Sequence, residues 1–244
     1  YKKKTNQKTY NHIADLYAKT FEDIKVRKNE WDWLYRNLPK DKEITVVDIG
    51  CGNGALLKEL SPIINKGIGL DISNKIIENA KKLNQDNSNI SFELITGPIL
   101  PIADESTDIV ISFLSFRYLD WDPIINQIKR ILKPGGSILI IDMVESPVRW
   151  HEIPLLIKDK IQHYIQRYTE PVFYKNLAKL VSNSEWKKML ENNPIRAEHE
   201  MKWYLESRFP TRKVEKINIG LNSCILAFNS SNINKMKDIK ITYP

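Results

Sequence analysis

Asp48-Ile49-Gly50-Cys51-Gly52-Asn53-Gly54 sets a carboxylate just before three alternating glycines, and a second carboxylate, Asp71, stands 21 residues beyond the first glycine. Glycines at this spacing leave no Cβ atoms in the way, so a ligand can lie against backbone N–H groups where a helix begins. An acidic side chain about twenty residues further on is placed to accept hydrogen bonds from a ribose diol. The chemistry is that of holding a nucleoside cofactor. Gly50, Gly52 and Ala55 also satisfy the dinucleotide fingerprint, so the glycines alone leave NAD and other nucleoside cofactors open. A turn that merely packs a helix on a strand is the plain alternative.

Such a loop needs a strand before it and a helix after it. Residues 44–49 (ITVVDI), 67–72 (GIGLDI), 108–114 (DIVISFL) and 137–142 (SILIID) form β-branched apolar runs, with a weaker alternating run at 90–95. Uninterrupted runs of this kind suit strands buried on both faces of a parallel sheet. Between them, 74–83 and 123–132 place isoleucines and leucines at helical spacing. The alternation predicts an α/β fold with a doubly wound, mostly parallel sheet. A single domain is expected, with its sheet core at 41–145 and 211–230. A helical cap precedes it at 1–40, a helical insertion at 146–210 covers the substrate, and a polar tail closes the chain at 231–244. Within the core, 212–219 and 223–228 flank a turn through Gly220 and Asn222 and read as an antiparallel hairpin.

Asp48 helps to choose the cofactor. At close range in a partly screened site a carboxylate repels a pyrophosphate and attracts a cationic amino-acid moiety by on the order of several kcal/mol. S-adenosylmethionine carries an ammonium and a sulfonium and no phosphate. Beyond these residues, VVDIGCGNG resembles the first motif of class I S-adenosylmethionine-dependent methyltransferases, GLDIS the acidic motif after the second strand, and LKPGGSILIID the turn into the fifth. PIADESTDIVIS is similar to the fourth-strand region of the branch called methyltransferase type 11, and YNHIADLY at 10–17 to the lead-in of many small-molecule members.

The resemblance covers about residues 9–145 and the closing hairpin. It implies a seven-stranded Rossmann-like sheet with an antiparallel last strand. In it Gly50, Gly52 and Gly54 underlie the methionine portion of the cofactor, Cys51 and Asn53 between them also bind the cofactor, Asp71 holds the ribose hydroxyls and Ile72 packs on adenine. Phe113 and Ser115 would face the sulfonium, and Tyr10 and Tyr17 would close over the methionine carboxylate; helix packing is an even alternative for both tyrosines. Family members usually carry an acidic residue after the third strand. Here residues 96–101 (TGPILP) have none, so adenine recognition falls to backbone groups near Gly97, Pro98 and Ile99.

Methyl transfer from a sulfonium is an in-line displacement in which the protein aligns the acceptor and excludes water. A base is needed only for an acceptor that is protonated at rest. His151, after the fifth strand, is the favoured pocket histidine. His163 lies beside an apolar face of Ile157, Ile161, Tyr164 and Tyr168 and reads as packed in a core. Arg117 and Tyr118 follow the fourth strand, where an acceptor carboxylate or phosphate would sit. The insertion offers Tyr164, Tyr168, Phe173, Tyr174, Trp186, Trp203, Tyr204 and Arg208, either as an aromatic lining for a small organic acceptor or as its own core.

The chain has 37 Lys and Arg against 30 Asp and Glu, a net charge of +7, which raises nucleic acid or an anionic surface as a partner. The excess sits at the ends. Residues 1–40 hold ten basic and five acidic side chains and residues 231–244 three and one, leaving the body neutral. That distribution, with no basic and aromatic interleaving, makes nucleic acid unexpected. No apolar stretch approaches the ~20 residues of a membrane span, two cysteines fit neither a disulfide scaffold nor a zinc site, and a cytoplasmic setting is the default. A first residue of Tyr1 suggests that the native beginning lies upstream. The expected activity is therefore methylation of a small organic acceptor at oxygen or nitrogen rather than carbon. The alternatives are a methyltransferase of RNA or protein and a cofactor-binding scaffold without activity.

Overall fold

The β-branched runs form strands β1 (Thr45–Ile49), β2 (Lys66–Asp71), β3 (Ile90–Leu94), β4 (Thr107–Phe113) and β5 (Leu132–Glu145), and the hairpin supplies β6 (Glu215–Ile219) and β7 (Ser223–Asn229). The structure is a computed structural model describing residues 7–39, 42–192 and 195–231, with side chains from residue 13 onward except that of Asn192. The strands order as β3-β2-β1-β4-β5-β7-β6. β1 to β5 pair in parallel, and β7 lies antiparallel between β5 and β6. The chain winds outward from β1 in both directions, which opens a crevice at the carboxyl ends of β1 and β4, the position where open α/β sheets bind ligands. The seven strands and the antiparallel hairpin are as the sequence predicts, with β5 starting earlier, because the LKPGGS turn is drawn into its pairing beside Thr107.

Successive side chains of a buried strand point to opposite faces, and two cores result. Val46 and Ile111 join one with Trp33, Leu34, Leu57 and Leu60. Val47, Ile49 and Val110 join the other with Phe116, Ile125, Ile128 and Phe228. Burial of each such Leu or Ile stabilises by about 1.5–3 kcal/mol. The first face is covered by α2 (Lys28–Asn37), α3 (Ala55–Leu60) and α4 (Asn74–Leu83), the second by α5 (Trp121–Ile131). The Ser73 hydroxyl caps α4 by accepting from the N–H of Ile76 at 3.2 Å, a bond worth ~1 kcal/mol. Asp48 shares the face of Val46 and so emerges toward the N-terminal elements.

α1 (Gln7–Thr20) lies across α4, with the Asn79 amide donating to Asp15 at 3.0 Å. The insertion comprises α6 (Ile153–Thr169), α7 (Pro171–Ser182), α8 (Ser184–Asn192) and α9 (Glu198–Arg208). α7 and α8 reach α1. α9 buries Met201, Tyr204 and Leu205 in the second core, so it completes the cover of the sheet. The face of Ile157, Ile161, Tyr164 and Tyr168, expected to be packed around His163, is instead exposed, because α6 turns its polar side inward.

Candidate functional site

Gly50, Gly52 and Gly54 all adopt φ between 55° and 78°, a left-handed backbone that residues with a Cβ adopt at a cost. Space forbids a side chain as well. A Cβ on Gly50 would lie 2.4 Å from the Cβ of Ser115, and one on Gly54 2.5 Å from the ring of Phe92. The loop is tied to β2, with the N–H groups of Gly50 and Cys51 donating to the carbonyl of Leu70 at 2.7 and 3.0 Å. The carboxylate of Asp71 closes the arrangement by accepting from the N–H of Gly52 at 3.2 Å and of Ser73 at 3.0 Å. The N–H of Ile72 is a third backbone donor to this carboxylate, which leaves one of its four acceptor sites for a ribose hydroxyl. Burial pushes the Asp71 carboxyl up to about 6, against the pull of those backbone bonds.

Asp48 is 1% exposed, and its Oδ1 has no hydrogen-bond partner among the described residues. Burial, reinforced by the Asp71 carboxylate, pushes its pKa up to about 8. An orphaned buried carboxylate costs free energy until a cation or donor meets it. A glycine cradle, a buried Asp71 carboxylate beside it and an Asp48 oxygen without a partner among the described residues together fit a nucleoside cofactor that carries a positive charge.

A methyltransferase-domain family model matches residues 47–140, the stretch that holds these groups. That match and the relatives below support a class I S-adenosylmethionine-dependent methyltransferase. It is 24% identical over 208 residues to the uncharacterized methyltransferase YcgJ of Bacillus subtilis (strain 168), covering 84% of this chain and 77% of that one. It is 27% identical over 189 residues to the demethylmenaquinone methyltransferase of Lactococcus lactis subsp. lactis (strain IL1403), covering 74% and 72%. The fold is shared with the methyltransferase solved in complex with the Haloferax volcanii Trm112 methyltransferase activator, at a TM-score of 0.59 and 20% identity over 93% of this chain and 97% of that one. S-adenosylmethionine is the cofactor of this methyltransferase.

Several residues expected to touch the cofactor have other partners. Asn53 donates to the carbonyls of Ala18 and Phe21, both at 3.0 Å, and so fastens the end of α1 over the glycine loop. Ser115 donates to the carbonyl of Ile49 at 2.6 Å and meets Ser112 at 2.8 Å, which locks the end of β4 against β1. The Cys51 thiol is buried against the carbonyl of Gly52 at 3.6 Å, and burial raises its pKa well above the usual value. Tyr17 covers the loop, its ring 3.1 Å from where a Gly52 Cβ would stand. Burial pushes the Tyr17 phenol up to about 12. The side chain of Tyr10 lies outside the described residues. Ile72 is partly exposed at the end of β2, and Gly97, Pro98 and Ile99 form an exposed loop after β3.

Tyr17, Phe21, Ile24, Arg27, Phe113 and Leu114 wall a cavity of about 30 Å³ beside Asp48, room for about one water. Anything larger enters only if Tyr17 and the segment behind it move. A cavity of about 370 Å³ lies between α1 and α4, but it touches the loop only at Asn53 and carries neither Asp48 nor Asp71. The Arg27 guanidinium lies 4.6 Å from the Phe21 ring centre, and burial lowers its pKa. In the sequence nothing sets Phe21 or Arg27 apart from the other aromatic and charged residues of the first forty. Leu114 sits at φ 57°, a strained conformation for a branched residue. The insertion reaches this wall through Trp186, stacked on Tyr17 at 6.2 Å, and Phe173, 6.1 Å from Phe21.

Arg117 is not free. Its backbone N–H donates to Asp142 Oδ2 at 2.6 Å, its Nη1 to Asp142 Oδ1, and its Nη2 to the Tyr118 hydroxyl at 2.8 Å, while Nε lacks a partner among the described residues. Burial works against its charge, and Asp142 more than offsets that, so the guanidinium stays charged. His151 is exposed on a 3₁₀ turn at Trp150–Glu152, and no hydrogen bond links it to the crevice among the described residues. Tyr164, Tyr168 and Trp203 are exposed, and Tyr204 is buried on Trp121 with its hydroxyl donating to Asp122 at 2.9 Å. The aromatic lining expected of the insertion thus reduces to Phe173 and Trp186.

Proposed function

We propose that this methyltransferase acts on a small organic acceptor, at oxygen or nitrogen, in the cytoplasm. The observation that carries the reading is the narrow apolar wall of Leu114 and the aromatic Tyr17, Phe21 and Phe113, backed by Phe173 and Trp186. A wall of this kind encloses a small molecule and excludes water, whereas a polymer needs an open track. The relative from Lactococcus lactis is named for a quinone, which supports a small organic acceptor and lends nothing to oxygen or nitrogen over carbon.

Asp48 would take the cationic end of the cofactor, Asp71 the ribose, and Gly50, Gly52 and Gly54 the backbone contact. Gly97, Pro98 and Ile99 would meet adenine with Ile72. When bound, S-adenosylmethionine supplies both electrophile and leaving group. The chain has then to align the acceptor. The Tyr118 hydroxyl accepts from Arg117 Nη2, so its own hydrogen is left to donate to an acceptor oxygen. His151 would serve as base only after the exposed turn closes on the crevice. A screen of metabolite fractions for acceptor-dependent release of S-adenosylhomocysteine tests this. Turnover with a small acceptor supports the reading, and turnover with RNA or protein alone overturns it.

A further inference from the structure

α6 is built inside out. Its inward side is polar: Asp159 accepts from the N–H of Ile219 at 2.9 Å, Gln162 donates to Asn29 at 3.1 Å, and Gln166 donates to the carbonyl of Val26. Of its 17 residues only Leu156 is buried. Ile157, Ile161, Tyr164 and Tyr168 recur at steps of four, three and four, which sets them on one face. With Ile165 beside them they are 53% to 70% exposed. Trp150, 89% exposed, stands just before the helix. A soluble chain rarely leaves so contiguous an apolar face in water without a use for it.

The charges around the stripe say what covers it. Lys158, Lys160 and Arg167 are exposed on α6, and Lys175 and Lys179 on α7, against the exposed Glu170 and the engaged Asp159. By helical geometry Lys158 flanks the stripe on one side and Lys160 and Arg167 on the other. An apolar stripe bordered by cations, with Tyr and Trp at its margin, is the pattern of a helix lying in the interface of an anionic bilayer. No helix of the described residues is long and apolar enough to cross a membrane.

We propose that the outward face of α6 docks on an anionic lipid surface. Ile157, Ile161 and Ile165 enter the acyl boundary, the tyrosines and Trp150 sit at headgroup level, and the flanking lysines meet lipid phosphates. The proposal does not depend on the identity of the methyl acceptor. Through Gln162 and Gln166, α6 also bonds the segment that carries Arg27, so docking would fix the crevice wall relative to the membrane.

The test is flotation of the whole chain with vesicles of phosphatidylglycerol and phosphatidylcholine, and with vesicles of phosphatidylcholine alone. Binding is expected to the mixed vesicles, to fall with added salt, and to drop by at least about tenfold in the double variant I161D/I165D. K158E/K160E should weaken binding to the mixed vesicles. Unchanged S-adenosylhomocysteine affinity in both variants checks that the fold is intact. Three outcomes overturn the proposal: no binding to the mixed vesicles, binding by I161D/I165D equal to the parent, or a parent dimer that I161D/I165D converts to monomer, which would make the face a contact between copies of the chain.

Discussion

Asp48 and Asp71 place two buried carboxylates at the ends of neighbouring strands, one held by the N–H groups of Gly52 and Ser73, the other with an oxygen that has no partner among the described residues. Burial raises both, to about 6 for Asp71 and about 8 for Asp48. The folded chain therefore keeps protons that the unfolded chain releases at about pH 4. Stability from these groups is fully present below that range and is lost as pH rises toward 8.

Replacing Asp48 with Asn removes the unpaired charge without changing the shape of the side chain. At pH 8 the cofactor-free D48N variant should melt higher than the parent, by ~2–4 °C for each kcal/mol recovered, with the gain shrinking at pH 5. Its affinity for S-adenosylmethionine should fall, and the rise of affinity with pH toward 8 expected of the parent should disappear. Thermal melts and calorimetry across pH read both effects, and a D48N variant that melts lower at pH 8 contradicts the account.

Asp71→Ala removes the proposed ribose acceptor and strands the N–H groups of Gly52 and Ser73. Cofactor affinity should weaken by about 1–3 kcal/mol. Calorimetric titration with S-adenosylhomocysteine measures it, and an unchanged Kd would remove Asp71 from the site.

Gly50→Ala adds a Cβ at φ 77° and 2.4 Å from Ser115. The strained backbone alone costs ~1–3 kcal/mol, and the clash loosens the loop. Urea melts should show lower stability, and Ser115→Gly in the same chain should restore part of it. If the double variant is no more stable than G50A, the close approach is not the cause.

Arg117→Ala leaves Asp142 buried without its guanidinium. A loss of about 3–5 kcal/mol is expected, with part regained when Asp142 is also replaced by Asn. Tyr118→Phe should leave stability within ~1 kcal/mol, because only one hydroxyl is lost. If Tyr118 contacts the acceptor, Y118F raises KM for it. Denaturation curves of the three variants, with acceptor kinetics for Y118F, separate a buried ion pair from an acceptor contact.

The strands, the glycine loop and Asp71 were legible in the sequence because each rests on local rules: β-branched runs fit buried parallel strands, and a left-handed turn needs glycine. The position of Asp48, a carboxylate at a strand end before such a loop, was legible too, whereas its burial and its unpartnered oxygen were not. The partners of Asn53, Ser115 and Arg117 were not legible. Asn53 meets α1 across more than thirty residues, Ser115 meets Ile49 across 66, and Arg117 meets Asp142 across 25; spacing along the chain carries no information about which of these close.

Alone, the sequence determined the alternation of strand and helix, the turn chemistry of the loop and the apolar stripe of α6, because backbone conformation and side-chain periodicity act over a few residues. Only the tertiary structure decided what each face meets. Periodicity marks a stripe on a helix but not its direction, and α6 points its stripe outward because Asp159, Gln162 and Gln166 find backbone and amide partners on the protein side. The same packing brings Phe21 and Arg27 to the crevice wall and gives the buried Arg117 its carboxylate, outcomes set by contacts between elements far apart in the chain.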